Sequence, residues 1–169
     1  YVNFIRKIGI SHNRTFHDMS DKLWKNNSEN DFYLKNGVMF LRDGDCQNAL
    51  EFLSIAANRN PRLGEAYGYM GVAFYILGMW TEAMDNYQKA LSLDSTLEKV
   101  YFFRGVLRSR LAYYQEAVND FTIAIEWDSM FDDAYCYRGA CRAFLNDNKG
   151  AISDLRLAAH LGNRIAQKM

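Results

Sequence analysis

The side chains best suited to chemistry in this chain are two arginine and aspartate pairs. Arg104 is followed sixteen residues later by Asp120, and Arg138 by Asp154. The corresponding places earlier in the chain hold Asn36 with Phe52 and Met70 with Asn86, so the acid occurs only where the base does. Each carboxylate therefore has a ready structural partner, which favours ion pairs between packed helices over catalysis. Arg138 could also be shared between Asp120 and Asp154. Removing one member should destabilise more than the pair itself stabilises, because it strands a partly buried charge. Cys46, Cys136 and Cys141 give an odd count in a chain too long to be a disulfide-stapled miniprotein, which indicates free thiols in a reducing, cytoplasmic setting. Cys136 and Cys141 lie five residues apart on one expected helix, on different faces, which suits neither a disulfide nor a zinc pair. His12, His17 and His160 are scattered, with no second ligand at metal spacing. No phosphate-binding loop, zinc-protease helix or nucleophile elbow is present. Neither a catalytic residue, a metal site nor a cofactor is expected, and the chain does not read as an enzyme.

The charge balance excludes further classes. Twenty basic and twenty acidic side chains leave a formal net charge of zero, against the basic excess that nucleic-acid and membrane-surface binders need. No apolar run approaches the roughly 18 residues that span a bilayer. With 49% apolar and 24% charged residues in 169, the composition is that of a globular protein able to bury a core. The first residue is Tyr1, not Met, which suggests a piece of a longer protein; the sequons at Asn13 and Asn26 would matter only in a secreted one.

The elements that carry these side chains recur at a fixed interval. Tyr33, Tyr67, Tyr101 and Tyr135 stand 34 residues apart, as do Gly37, Gly71, Gly105 and Gly139. The same interval separates Ala49, Ala83, Ala117 and Ala151, then Leu53, Tyr87, Phe121 and Leu155, then Ala56, Ala90, Ala124 and Ala158. Within each period, apolar residues recur at three- and four-residue spacing in two runs, and junctions such as Gly78-Met79 admit only a tight antiparallel turn. Each period is therefore a helical hairpin. An aromatic, a glycine, two alanines and an aromatic at these offsets resemble the tetratricopeptide repeat family. That family usually has proline in the turn between repeats. Here the turn holds Pro61, Ser95, Ser129 and Asn163, so only one position matches.

The resemblance implies an all-α, right-handed superhelical solenoid of antiparallel helix pairs. Four repeats are expected at 30–63, 64–97, 98–131 and 132–165. Residues 1–29 are expected to be either a helical extension or a degenerate cap repeat, with Phe4, Ile8, Phe16 and Leu23 on apolar faces. Residues 166–169 are expected to begin a truncated further helix, leaving Ile152 and Leu155 less covered than their counterparts.

The resemblance also implies a concave face, lined by the first helix of each repeat, that binds peptide segments. The expected lining comprises Lys35, Val38 and Arg42 from the first repeat, beside Leu34 and Leu41, and Tyr69, Val72, Tyr75 and Ile76 from the second. Lys99, Phe102, Phe103, Val106 and Arg110 follow from the third, and Tyr137 and Phe144, beside Ala140, from the fourth. Family members that clamp chaperone C-termini use Lys, Asn and Arg on three successive first helices. Here the matching places hold Leu34, Val38 and Tyr69, or Gly68, Val72 and Phe103, which argues against that ligand. The expected partner is an apolar or amphipathic protein segment with some acidic side chains. The alternative is a second copy using the same groove.

Overall fold

The computed structural model describes residues 29–168; the expected N-terminal extension or cap lies outside them. Eight α-helices follow one another: α1 (Glu29–Asp43), α2 (Cys46–Arg59), α3 (Gly64–Ile76), α4 (Trp80–Leu93), α5 (Glu98–Arg110), α6 (Tyr114–Trp127), α7 (Asp132–Phe144) and α8 (Asn148–Leu161). A single 3-10 turn, Ala166–Lys168, closes the described chain. No strand occurs among the described residues. The helices fall into two compact units divided between Leu93 and Asp94. In the first unit α1 packs on α2, α2 on α3 and α3 on α4; the second repeats the scheme with α5 to α8.

Small residues at fixed places explain how closely these helices meet. A Cβ on Gly71 would stand 2.5 Å from the ring of Tyr87, and one on Gly105 2.8 Å from Phe121. Gly37 would meet Leu53 at 2.6 Å, and Gly139 would meet Leu155 at 3.1 Å. Leu53, Tyr87 and Phe121 are all fully buried, so none can yield easily. The ring fills the space that the missing side chain leaves, as close packing of ridges into grooves requires. The recurring tyrosines carry a cation over the ring in every repeat: Arg59 over Tyr33, Lys89 over Tyr67, Arg104 over Tyr101 and Arg138 over Tyr135, at 4.1 to 5.4 Å. Each such contact covers a ring face while adding a modest electrostatic attraction.

The turn inside each repeat needs one residue in the left-handed region. Gly44 and Gly78 supply it in the first unit, whereas Ala112 (φ 62°) and Asn146 (φ 63°) adopt it in the second. In the turns between repeats, with Pro61 in the first and no proline in the next two, an Asn or Asp side chain accepts a backbone N–H two residues on. Asn60 does so from Arg62, Asp94 from Thr96 and Asp128 from Met130. At α8 the exposures diverge: Ile152 is 52% exposed where its counterpart Val118 is 9% exposed, and Leu155 is half-buried where Phe121 is fully buried.

Candidate protein-binding surfaces

In the second unit the arginines and aspartates form two copies of one cluster. Arg104 Nε and Nη2 donate to the two oxygens of Asp120 at 3.0 and 2.7 Å, and Arg108 Nη1 donates to the same carboxylate at 2.7 Å. Arg138 Nε and Nη2 donate likewise to Asp154 at 2.9 and 2.8 Å, joined by Arg142 Nη1 at 2.8 Å. Asp120 and Asp154 are 1% and 4% exposed. Arg138 turns its remaining arm to the Thr122 hydroxyl at 3.1 Å, linking α7 to α6, and makes no bond to Asp120. Sequence reading missed the second arginine of each cluster. The signal was present: Arg104 and Arg108, like Arg138 and Arg142, are four apart and share a helix face. Each buried carboxylate takes two guanidinium groups; Arg142 also reaches Asp147 at 3.7 Å, which balances the second cluster, whereas the first holds two arginines against Asp120 alone.

The thiols offer no reactive centre. Burial pushes Cys136 and Cys141 up to about 11, and the nearby Asp133 and Asp132 add to the shift at Cys136. Cys46 is raised by burial and by Asp45. All three remain protonated at neutral pH, when only the thiolate attacks. Among the described residues, no cluster of His, Cys, Asp or Glu could hold a metal ion, and no helix is long and apolar enough to cross a membrane.

The expected groove residues separate into two groups. In the first unit Tyr69 is 5% exposed and packs inside, as do Leu34 and Leu41, while Lys35, Val38, Val72, Tyr75 and Ile76 are half-buried and Arg42 is exposed. In the second unit Phe102 and Val106 are 2% and 4% exposed. Phe102 is the hub of a ring cluster, with Phe103, Phe121, Phe131 and Tyr137 at centroid distances of 4.6 to 5.8 Å. Tyr69, Phe102 and Val106 are therefore corrected from groove lining to core. In the case of Phe102 the reason is Phe131, which enters from the turn before α7 and covers the ring. Lys99, Phe103 and Tyr137 are half-buried and Arg110 is exposed.

Phe144 is the most accessible of the expected apolar residues, at 67% exposed, and lies flat on Tyr114 with centroids 4.6 Å apart and planes 5° apart. That contact joins the end of α7 to the start of α6, where Tyr113 and Leu145 are also exposed at 56% and 39%. This apolar turn edge went unnoticed in the sequence, although comparing equivalent turn positions would have shown it. Asp45 and Asp147 stand where Met79 and Tyr113 stand in the two middle repeats.

Comparison with known proteins agrees with this architecture. Residues 64–97 match the tetratricopeptide repeat family profile. A search of curated protein sequences found no relative. Among solved structures, that of MamA is similar with a TM-score of 0.72 at 18% identity, covering 96% of this chain and 95% of that one. The tetratricopeptide-repeat domain of Arabidopsis OM64 gives 0.65 at 23% identity, over 68% and 95% of the two chains. The first such domain of Spaghetti (RPAP3), bound to the HSP90 peptide SRMEEVD, gives 0.67 at 18% identity, over 70% and 96%. Residues 64–97 thus match a tetratricopeptide repeat, and the chain has the fold of tetratricopeptide-repeat structures.

Proposed function

We propose that this protein is an interaction adaptor, and that the first-helix faces take up an apolar or amphipathic segment of another protein carrying acidic side chains. The observation that carries the reading is the half-buried apolar set left after Tyr69, Phe102 and Val106 are assigned to the core. That set is Val38, Val72, Tyr75 and Ile76 in the first unit and Phe103 and Tyr137 in the second. Aromatic side chains that keep part of their surface in water offer large contact area at low entropic cost. Lys35, Arg42, Lys99 and Arg110 on the same helices supply the charge that selects acidic neighbours. The neighbour bound to SRMEEVD supports peptide recognition by this fold, although this chain has Leu34, Val38 and Tyr69, or Gly68, Val72 and Phe103, where a carboxylate clamp needs Lys, Asn and Arg. The role is binding, not catalysis, and the protonated, buried thiols fit a reducing compartment such as the cytoplasm.

The test is titration with a labelled amphipathic peptide alternating Leu or Phe with Glu. Phe103→Ala with Tyr137→Ala should weaken binding at least tenfold while the helical circular dichroism is retained. Equal affinity for the variant, or equal affinity for a Lys-substituted peptide, would remove the groove reading.

A further inference from the structure

The four second helices are each preceded by an equivalent residue, Asp45, Met79, Tyr113 and Asp147. Asp45 accepts the Asn48 N–H at 3.1 Å and Asp147 the Gly150 N–H at 3.0 Å, each capping its helix. Tyr113 makes no such bond, is 56% exposed, and follows Ala112 in a left-handed conformation that glycine would adopt more easily. This turn therefore gives up local stability at two successive residues and presents an aromatic surface, Tyr113 with the stacked Tyr114 and Phe144, instead. A local rule broken without a visible structural gain is a mark of a binding site. Arg108 lies beside it, donating to the Glu116 backbone carbonyl at 3.5 Å, and shares Asp120 with Arg104, so two guanidinium groups stand against one buried carboxylate there.

The opposite end of α6 carries the complement. Trp127 is 58% exposed and Met130 is 69% exposed, in the segment Glu126-Trp127-Asp128-Ser129-Met130. The equivalents of Trp127 are Arg59, Leu93 and Leu161, so an exposed tryptophan between two acids is particular to this repeat. Trp127 and Tyr114 sit at the two ends of one straight helix, roughly 20 Å apart at 1.5 Å per residue. They cannot meet within a chain. They can meet between chains.

We propose that this protein associates head to tail, the Glu126–Met130 segment of one copy docking on the Tyr113, Tyr114 and Phe144 edge of the next. Trp127 lies against the stacked rings, and Glu126 and Asp128 face Arg108. The contact joins different surfaces, so each copy keeps one of each open and the assembly extends with concentration instead of stopping at a dimer. This surface is separate from the proposed groove, and Phe103 and Tyr137 take no part in it.

Sedimentation velocity over a concentration series tests it. The wild type should grow in mass with concentration. Trp127→Ala and Phe144→Ala, both changes at exposed side chains, should each weaken association at least tenfold and leave a monomer with unchanged circular dichroism. An equimolar mixture of the two should form dimers that grow no further, because only the edge of the first and the tryptophan of the second remain. Phe103→Ala with Tyr137→Ala should associate like wild type, which separates failure here from failure of the groove. A wild type that stays monomeric, single variants that still associate, or a mixture that stays monomeric would each overturn the proposal.

Discussion

The two units are built on the same landmarks, yet they hold their helices together by different physics. In the first, α3 has no exposed residue at all, and its only charged side chain is Glu65. The position that carries Arg104 and Arg138 in the second unit carries Asn36 and Met70 in the first. The second unit instead clamps each helix pair with two arginines on one buried carboxylate. The stacking of small residues against rings is thus the common requirement, while the layer beside it can be apolar or ionic.

The contrast is tested most severely at Asp120. Replacing it with Ala removes three charge-assisted bonds and leaves Arg104 and Arg108 without their shared partner, at a cost of roughly 3–5 kcal/mol. The equivalent Asn86 makes a single bond to the Glu82 carbonyl within its own helix, and Asn86→Ala should cost no more than about 0.5 kcal/mol. Guanidinium unfolding of the two variants measures the difference. Similar small losses in both would mean that the ionic layer is ornamental and that the units are held alike.

A second difference lies beneath Gly71 and Gly105. Tyr87 fills the place that Phe121 fills in the second unit, and both are fully buried. The Tyr87 hydroxyl has no hydrogen-bond partner among the described residues, and burial, with Tyr75 nearby, pushes its ionisation well above the usual range. An unsatisfied buried hydroxyl costs about 1–3 kcal/mol, so Tyr87→Phe should raise the unfolding midpoint by removing that cost while keeping the ring against Gly71. A loss of stability would show that the hydroxyl is satisfied.

These differences also mark how far the sequence could be read. The 34-residue register placed the helical hairpins, since the glycines and rings it picks out are the ones that touch. It also exposed the link between Arg104 and Asp120, because the partner type changes together with its base. Arg108 and Arg142 stayed hidden because an arginine near a helix end reads equally as a solvated side chain; only the fold shows it folding back over the next helix. Phe102 was misplaced for a related reason. Periodicity assigns it a face, but its burial depends on Phe131, which arrives from a turn that has no periodicity. The exposed edge at Tyr113 was legible in principle from the alternation of Asp, Met, Tyr and Asp at one turn position, but its meaning required knowing which of these side chains cap a helix.

That position yields the smallest effect and the sharpest distinction between a structural and a binding role. Tyr113→Asp copies the caps that Asp45 and Asp147 provide, and should add about 0.5–2 kcal/mol by satisfying an N–H of the first turn of α6. If Tyr113 served packing alone, its removal would lower both stability and association. If it is retained for contact, the same change should raise the unfolding midpoint by about 2–4 °C per kcal/mol gained while weakening association, because it deletes an aromatic and sets a negative charge where acidic residues dock. A more stable variant that associates as before would detach the edge from assembly, and a less stable one would return Tyr113 to the core of its turn. Opposite signs in the two measurements are what a residue kept for binding at the expense of folding must show.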